Sequence, residues 1–252
     1  MAVITGGASG IGLATALLLR DRGASVLVGD VAFTSDARRM LADQEIAAIE
    51  CDVVSADDVA RLIDRAGDEA GGLDIVVNNA GVGLVKQLTE VSVAEWDRVL
   101  DINFRAAFLT TRFAIPHMRE RGGGAIVNIS SNAGLLPRAH DPVYSTSKGA
   151  LIAMTKSFAL CHAPDRIRVN AVCPGPVMNT GMMNADLAKA EDPMATARAF
   201  IDASPLARAF GRMILPEEVA QAVLYLVSDA AKMVTGTAIA IDGGKSLGVP
   251  PR

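Results

Sequence analysis

The stretch Thr5-Gly6-Gly7-Ala8-Ser9-Gly10-Ile11-Gly12 joins an apolar run, Ala2–Thr5, to a segment, Ile11–Arg22, that is apolar almost all round as far as Leu19. The run reads as a strand buried on both faces and the segment as a buried helix. Glycines at such a joint keep side chains away, so backbone N–H groups and the positive end of the helix dipole can face a phosphate. The spacing is GxxxGxG rather than GxGxxG, so the loop needs support from its surroundings.

That support begins with the order of elements. Further runs rich in valine, isoleucine and alanine occur at Ser25–Asp30, Ile46–Cys51, Asp74–Val77, Ala125–Ser130, Ile167–Val172 and Thr237–Ile241. Helical stretches lie between them at Ala56–Ala70, Val93–Arg121, Tyr144–His162 and Pro216–Ser228. The alternation predicts an α/β fold, a single-domain doubly wound (Rossmann-type) parallel sheet of about seven strands with helices on both faces. No repeat, low-complexity tract or Pro/Gly-rich linker divides residues 1–252, and half of them are apolar, enough to fill one large core. Only Met1 precedes the first run, so a short or frayed first strand is expected. Ligands of such sheets bind beyond the carboxyl ends of the strands.

The second run ends in Val28-Gly29-Asp30, with Asp30 eighteen residues after Gly12. A dinucleotide fold places there the carboxylate that accepts from the adenosine ribose hydroxyls. A carboxylate repels a 2′-phosphate, and neither the loop nor the residues just after Asp30 carry lysine or arginine, so NAD is expected rather than NADP. Cys51-Asp52-Val53 ends the third strand at the same edge, where Asp52 is a candidate acceptor for the adenine amino group. Candidate cofactor contacts in this half of the chain are Gly6, Ser9, Gly10, Ile11, Gly12, Asp30, Asp52 and Val53.

Tyr144 and Lys148 stand four apart at the start of a helical stretch, on one face and about 6 Å apart along the axis. Reducing a ketone needs a proton delivered to oxygen as hydride reaches carbon, and the reverse reaction needs that proton removed. A phenol near pKa 10 is a poor base at neutral pH. An ammonium about 4 Å away, at an effective dielectric near 20, favours the phenolate by about 4 kcal/mol and brings Tyr144 close to pKa 7.

Taken in order, TGGASGIG, Asn78-Asn79-Ala80-Gly81, Asn103 in an apolar helix, Ile129-Ser130-Ser131, Tyr144-Ser145-Thr146-Ser147-Lys148, Asn170-Ala171-Val172-Cys173-Pro174-Gly175 and Asp242-Gly243-Gly244 span nearly the whole chain. In this order and spacing the chain resembles the short-chain dehydrogenase/reductase family. The resemblance implies a catalytic set of Asn103, Ser131, Tyr144 and Lys148, in which Tyr144 is the acid/base and Ser131, thirteen residues before it, holds the substrate oxygen. It implies that Asn103 completes a proton path past Lys148 through a water and local backbone, and that Lys148 also holds the cofactor ribose. It places Asn79, Ala80, Gly81, Pro174, Gly175 and Val177 on the cofactor side, with Asn79 tying the fourth strand's end to neighbouring backbone. The family's carboxamide-binding threonine falls where this chain has Asn179, with Thr180 next, so either side chain is a candidate.

The implied activity is hydride transfer between NAD(H) and a small-molecule secondary alcohol or ketone. The alternatives are an NADPH-dependent 3-oxoacyl-thioester reductase, which Asp30 opposes, and a non-catalytic nicotinamide-binding sensor or scaffold. The stretch from about 176 to 213, with Met178, Met182, Met183 and Met194, breaks the alternation and reads as a lid over the crevice. The substrate pocket is expected from Leu84, residues 132–141 and this lid, with His140 a candidate at its mouth. No lysine or arginine occurs between Cys173 and Asp186, so a cation for an anionic substrate is expected from Lys189, Arg198, Arg208 or Arg212.

A net charge of −4 opposes nucleic-acid binding, no apolar run is long enough for a membrane span, and three scattered cysteines and three scattered histidines suggest neither disulfide framework nor metal. With no leader-like segment before the first strand, a cytoplasmic location is expected. The stretches Val93–Arg121 and Tyr144–His162 are apolar over more faces than one sheet contact covers, which predicts burial against a second copy, as a homotetramer or at least a dimer. Trp96 is expected in the core or that interface.

Overall fold

The computed structural model of the chain describes residues 1–68 and 71–248. Among these residues, seven strands, β1 (Ala2–Thr5), β2 (Val26–Asp30), β3 (Ala47–Glu50), β4 (Ile75–Asn78), β5 (Gly124–Ile129), β6 (Ile167–Pro174) and β7 (Ala238–Ile241), form one sheet in the order β3-β2-β1-β4-β5-β6-β7. All six pairings are parallel. The order reverses between β1 and β4, which opens a crevice at the carboxyl ends of those strands.

The helices are α1 (Gly10–Asp21), α2 (Ser35–Asp43), α3 (Ala56–Asp68), α4 (Val93–Leu100), α5 (Ala106–Arg121), α6 (Asn132–Leu135), α7 (Pro142–His162), α8 (Gly181–Lys189), α9 (Pro193–Asp202), α10 (Pro205–Phe210) and α11 (Pro216–Val227). Successive strand residues point to opposite faces, and both faces are buried. Val3, Leu27, Val76 and Ile126 pack with Leu62 and Ile63 of α3 and Leu109 and Met118 of α5. Ile4, Val28, Val77 and Val127 pack with Leu19 of α1 and Val223 and Leu226 of α11. Each such side chain gains about 1.5–3 kcal/mol from leaving water. No helix of the described residues is long and apolar enough to cross a membrane.

The expected strands all form, with ends shifted by one or two residues. β1 is short, but it is not frayed: Ala2, Val3 and Ile4 are fully buried, and the Met1 carbonyl accepts from the N–H groups of Asp74 and Ile75. The expected end of the third helix at Ala70 lies outside the described residues. The stretch Val93–Arg121 is not one helix. A π turn, Asp101–Arg105, separates α4 from α5. A capping box starts α4, with Ser92 Oγ accepting from Glu95 N–H and Glu95 accepting from Ser92 N–H. The sequence reading passed over α2 because its nine residues bury only Ala37 and Leu41; Thr34 caps it.

Candidate active site

The glycine loop runs from the end of β1 into α1, and its geometry requires glycine at two positions for different reasons. Gly6 has φ +65°, and a Cβ there would stand 2.8 Å from the Ala80 Cα. A Cβ on Gly12 would stand 2.3 Å from the Gly6 carbonyl oxygen. Gly12 therefore lies beneath the loop and does not line the cavity. Ser9, at the N-cap of α1, makes no side-chain cap bond, and the first turn carries no acidic residue. These N–H groups are thus left for an external anion, and the donor set fits a pyrophosphate.

Asp30 ends β2 beside this loop. Its Oδ2 accepts from the Ala8 N–H at 2.9 Å, while Oδ1 has no partner among the described residues. Asn79 follows the last residue of β4, and its Nδ2 donates to the carbonyls of Thr5 at 2.9 Å and Gly6 at 2.8 Å. The Thr5 hydroxyl accepts from the Asn79 and Ala80 N–H groups in return. The joint between β1 and β4 is therefore built from side-chain hydrogen bonds where the ladder has ended.

A cavity of about 960 Å³ extends from this edge to α8 and α9. Gly6, Ser9, Gly10, Ile11, Asp30, Asp52, Val53, Asn79, Ala80, Gly81, Ser131, Tyr144, Lys148, Pro174, Gly175, Val177 and Thr180 line it. Asp52 turns its Oδ1 to the Val54 N–H at 3.1 Å. Thr180 and not Asn179 is in the wall: Asn179 takes φ +58°, whereas Thr180 caps α8, accepting from Met183 N–H and donating to the Val177 carbonyl.

Tyr144 and Lys148 lie on the buried face of α7, with Lys148 Nζ 5.9 Å from the Tyr144 ring centroid. Lys148 is 3% exposed, donates to the Ile129 carbonyl at 2.9 Å, and is pushed down to about pKa 8 by burial. Burial also pushes the Tyr144 phenol above its ordinary value of 10; hydrogen bonding with Ser131 and the charge of Arg138 pull the other way and are outweighed. The expected lowering of Tyr144 by Lys148 is thereby corrected. The cost of removing the phenolate from water exceeds the nearby positive charge.

Ser131 is buried at the end of β5 and caps α6, accepting from Ala133 N–H at 3.1 Å. Its neighbour Ser130 donates to the Lys148 carbonyl at 2.8 Å, which fastens α7 to β5. A second fastening runs from Asn78 through Asn128 to Thr155, with bonds of 2.8 and 2.9 Å. Asn103, brought inward by the π turn, is 2% exposed and stands behind the cavity wall. Its Nδ2 donates to the Val82 carbonyl at 2.9 Å and to Ser147 Oγ at 3.1 Å, and its Oδ1 accepts from Val82 N–H at 2.8 Å.

At the α8 end, Asn132, Arg138, Met182, Met183, Asp186 and Phe200 complete the wall, while Leu84 and the exposed His140 lie outside it. Arg138 falls within the expected pocket stretch 132–141, but nothing in that aperiodic loop singles it out as the cation. None of Lys189, Arg198, Arg208 and Arg212 lines the cavity; Arg198 pairs with Asp202 and Arg212 with Glu218. His117 and His162 pair with Asp64 and Asp165.

Known proteins resemble the chain along its whole length. The protein family described as enoyl-(acyl carrier protein) reductase matches residues 6–246. Cis-4-hydroxycyclohexanecarboxylate dehydrogenase of Sinomonas cyclohexanicum is 43% identical over 248 residues, covering 97% of this chain and 95% of that protein. Cyclopentanol dehydrogenase of a Comamonas species is 39% identical over 252 residues, covering 96% and 95%. The structure of aldohexose dehydrogenase from Thermoplasma acidophilum aligns with a TM-score of 0.89 at 34% identity, covering 100% of this chain and 96% of that one.

Proposed function

Because the chain belongs to the short-chain dehydrogenase/reductase family and is an oxidoreductase acting on CH–OH groups, we propose that it moves a hydride between NAD(H) and a cyclic secondary alcohol or ketone, with Tyr144 as acid/base. The observation that carries this reading is one cavity with Asp30 and the uncapped N-terminus of α1 at one end and Ser131, Tyr144 and Lys148 at the other. The cyclic character is supported by the substrates named in two relatives that share over a third of its residues.

NAD, when bound, supplies the hydride acceptor and a positive ring charge. Asp30 Oδ1 accepts from the adenosine ribose and repels a 2′-phosphate, which favours NAD over NADP and disfavours the 3-oxoacyl-thioester reductase alternative. Thr180 Oγ1 holds the carboxamide. The Ser131 hydroxyl donates to the substrate oxygen and fixes its distance from Tyr144. In reduction, the Tyr144 phenol gives its proton to that oxygen; in oxidation, the phenolate takes it. Lys148, held by the Ile129 carbonyl, donates to the nicotinamide ribose and stabilises the phenolate when charged. Asn103 holds Val82 and Ser147 and lines the route by which Tyr144 recovers its proton past Lys148.

The assembly is a homotetramer or homodimer, supported by apolar side chains left exposed on three helices, Trp96 on α4, Phe108 on α5 and Leu160 on α7, the last 81% exposed. The protein works in the cytoplasm, which its three free cysteines suit. The test follows nicotinamide absorbance with NAD and NADP separately over cyclic and acyclic secondary alcohols, with Tyr144→Phe beside the wild type. Turnover with NAD that vanishes in the variant is expected; turnover with NADP alone, or an undiminished variant, overturns the reading.

A further inference from the structure

Arg138 stands in the wall of the reaction end of the cavity, its Cζ 5.7 Å from the Tyr144 ring centroid. Its Nε donates to Asp141 Oδ1 at 3.2 Å and its Nη2 pairs with Asp141 Oδ2. Asp141 is itself buried and also accepts from Ser145 Oγ at 3.1 Å. A carboxylate clamped to one edge of a guanidinium fixes its orientation and leaves the other edge free. Nη1 has no hydrogen-bond partner among the described residues, although the Arg138 side chain is only 23% exposed.

Further charges near this edge bear on what it can accept. Lys245, half-buried beside Phe200 of the cavity wall with its Nζ 5.8 Å from the ring centroid, is a second cation within reach of the charges of Arg138, Asp242 and Asp141. Asp186, on α8 in the wall of the same cavity, is the opposing charge, and burial pushes its pKa upward. Lys189 and Arg138 act on Asp186 in the other direction. One cation is therefore paired through one edge, a second is half-buried, and Arg138 lines the cavity with its Cζ 5.7 Å from the Tyr144 ring centroid.

We propose that Arg138 is the anion anchor of the substrate site: its Nη1 edge takes a carboxylate that the alcohol carries a few bonds from its carbinol carbon. The proposal rests on the oxidoreductase reading above for what happens to that carbon, but not for the binding of the anion. An anionic secondary alcohol is then positioned at two points, its oxygen on Ser131 and Tyr144 and its carboxylate on Arg138. Two-point attachment fixes which face of the carbinol carbon is presented for hydride transfer.

The test separates binding from turnover. Equilibrium binding of cyclohexanecarboxylate and of cyclohexanecarboxamide is measured by calorimetry on the wild type, Arg138→Gln and Arg138→Lys, and kcat/KM is measured for a hydroxycyclohexanecarboxylate and its carboxamide. A charge-assisted fork predicts that the wild type favours acid over amide by about 30-fold, that Gln abolishes the preference, and that Lys restores part of it. The change lies mainly in KM. Equal affinity of the wild type for acid and amide, or a preference that survives in Arg138→Gln, overturns the anchor. Selective binding of the acid without any hydride transfer keeps the anchor and overturns the proposed oxidation of a cyclic alcohol.

Discussion

Asn103 closes a two-bond ring with the backbone of Val82, accepting from its N–H at 2.8 Å and donating to its carbonyl at 2.9 Å. A side-chain amide thus does for one residue what a neighbouring strand does in a sheet. It can do so because the π turn Asp101–Arg105 inserts an extra residue and rolls Asn103 inward. Asn103→Ala removes both partners of a half-buried N–H and C=O at the cavity wall, a cost of about 1–2 kcal/mol. The expected result is a clearly lowered Tm; a variant as stable as the wild type would show that the Val82 backbone finds other partners.

Gly81 tests the proton route. A Cβ on this residue would stand 3.3 Å from both Asn103 Oδ1 and Lys148 Nζ, tight but not prohibitive, and its φ is not in the left-handed region. Gly81→Ala therefore folds, yet fills the point where the two polar groups approach each other. Proton recovery slows, so kcat is expected to fall at least tenfold while Tm moves little. An unchanged kcat excludes a route through that point.

Lys148 sets stability against function. Its buried ammonium gives up its proton near pH 8, whereas in the unfolded chain it does so near 10.5. Between these values the unfolded state holds more protons, so the wild type gains stability as pH rises through the window. The difference is worth up to about 3 kcal/mol at 1.36 kcal/mol per pKa unit. Lys148→Met is expected to lose turnover yet to melt higher than the wild type at pH 7, with the advantage shrinking toward pH 10.5. Melting curves in which the advantage does not depend on pH contradict a buried charge at this position.

Asp30 is the proposed determinant of cofactor choice. Asp30→Ala removes the charge that repels a 2′-phosphate and also frees the Ala8 N–H, which then becomes a donor for an anion. The ratio of kcat/KM for NADP over NAD is expected to rise at least tenfold. Should the ratio stay fixed, selection lies elsewhere in the cavity wall.

Much of the fold was legible because it is written locally. Buried strands alternate with helices at lengths that single runs of residues reveal, and Tyr144 and Lys148 share a helix face through their spacing alone. Other features depend on backbone geometry that leaves no mark in composition. The π turn changes one hydrogen-bond offset inside an apolar stretch, so Val93–Arg121 reads as continuous. The choice between Asn179 and Thr180 turns on a left-handed φ at the former, invisible in the residue types. Arg138 lies in a loop with no period, and only the fold brings it over Tyr144.

The fastening of α7 to β5 by Ser130 and by the Asn128–Thr155 pair divides labour within the chain. Tyr144 and Lys148 are held by the sheet, while Met182, Met183, Asp186 and Phe200, which shape the space in front of them, belong to α8 and α9. Residues of those two helices can be exchanged without moving Tyr144 relative to Lys148. An ancestor of this chain could accordingly have drifted from one alcohol to another by single steps, each leaving a working enzyme behind it.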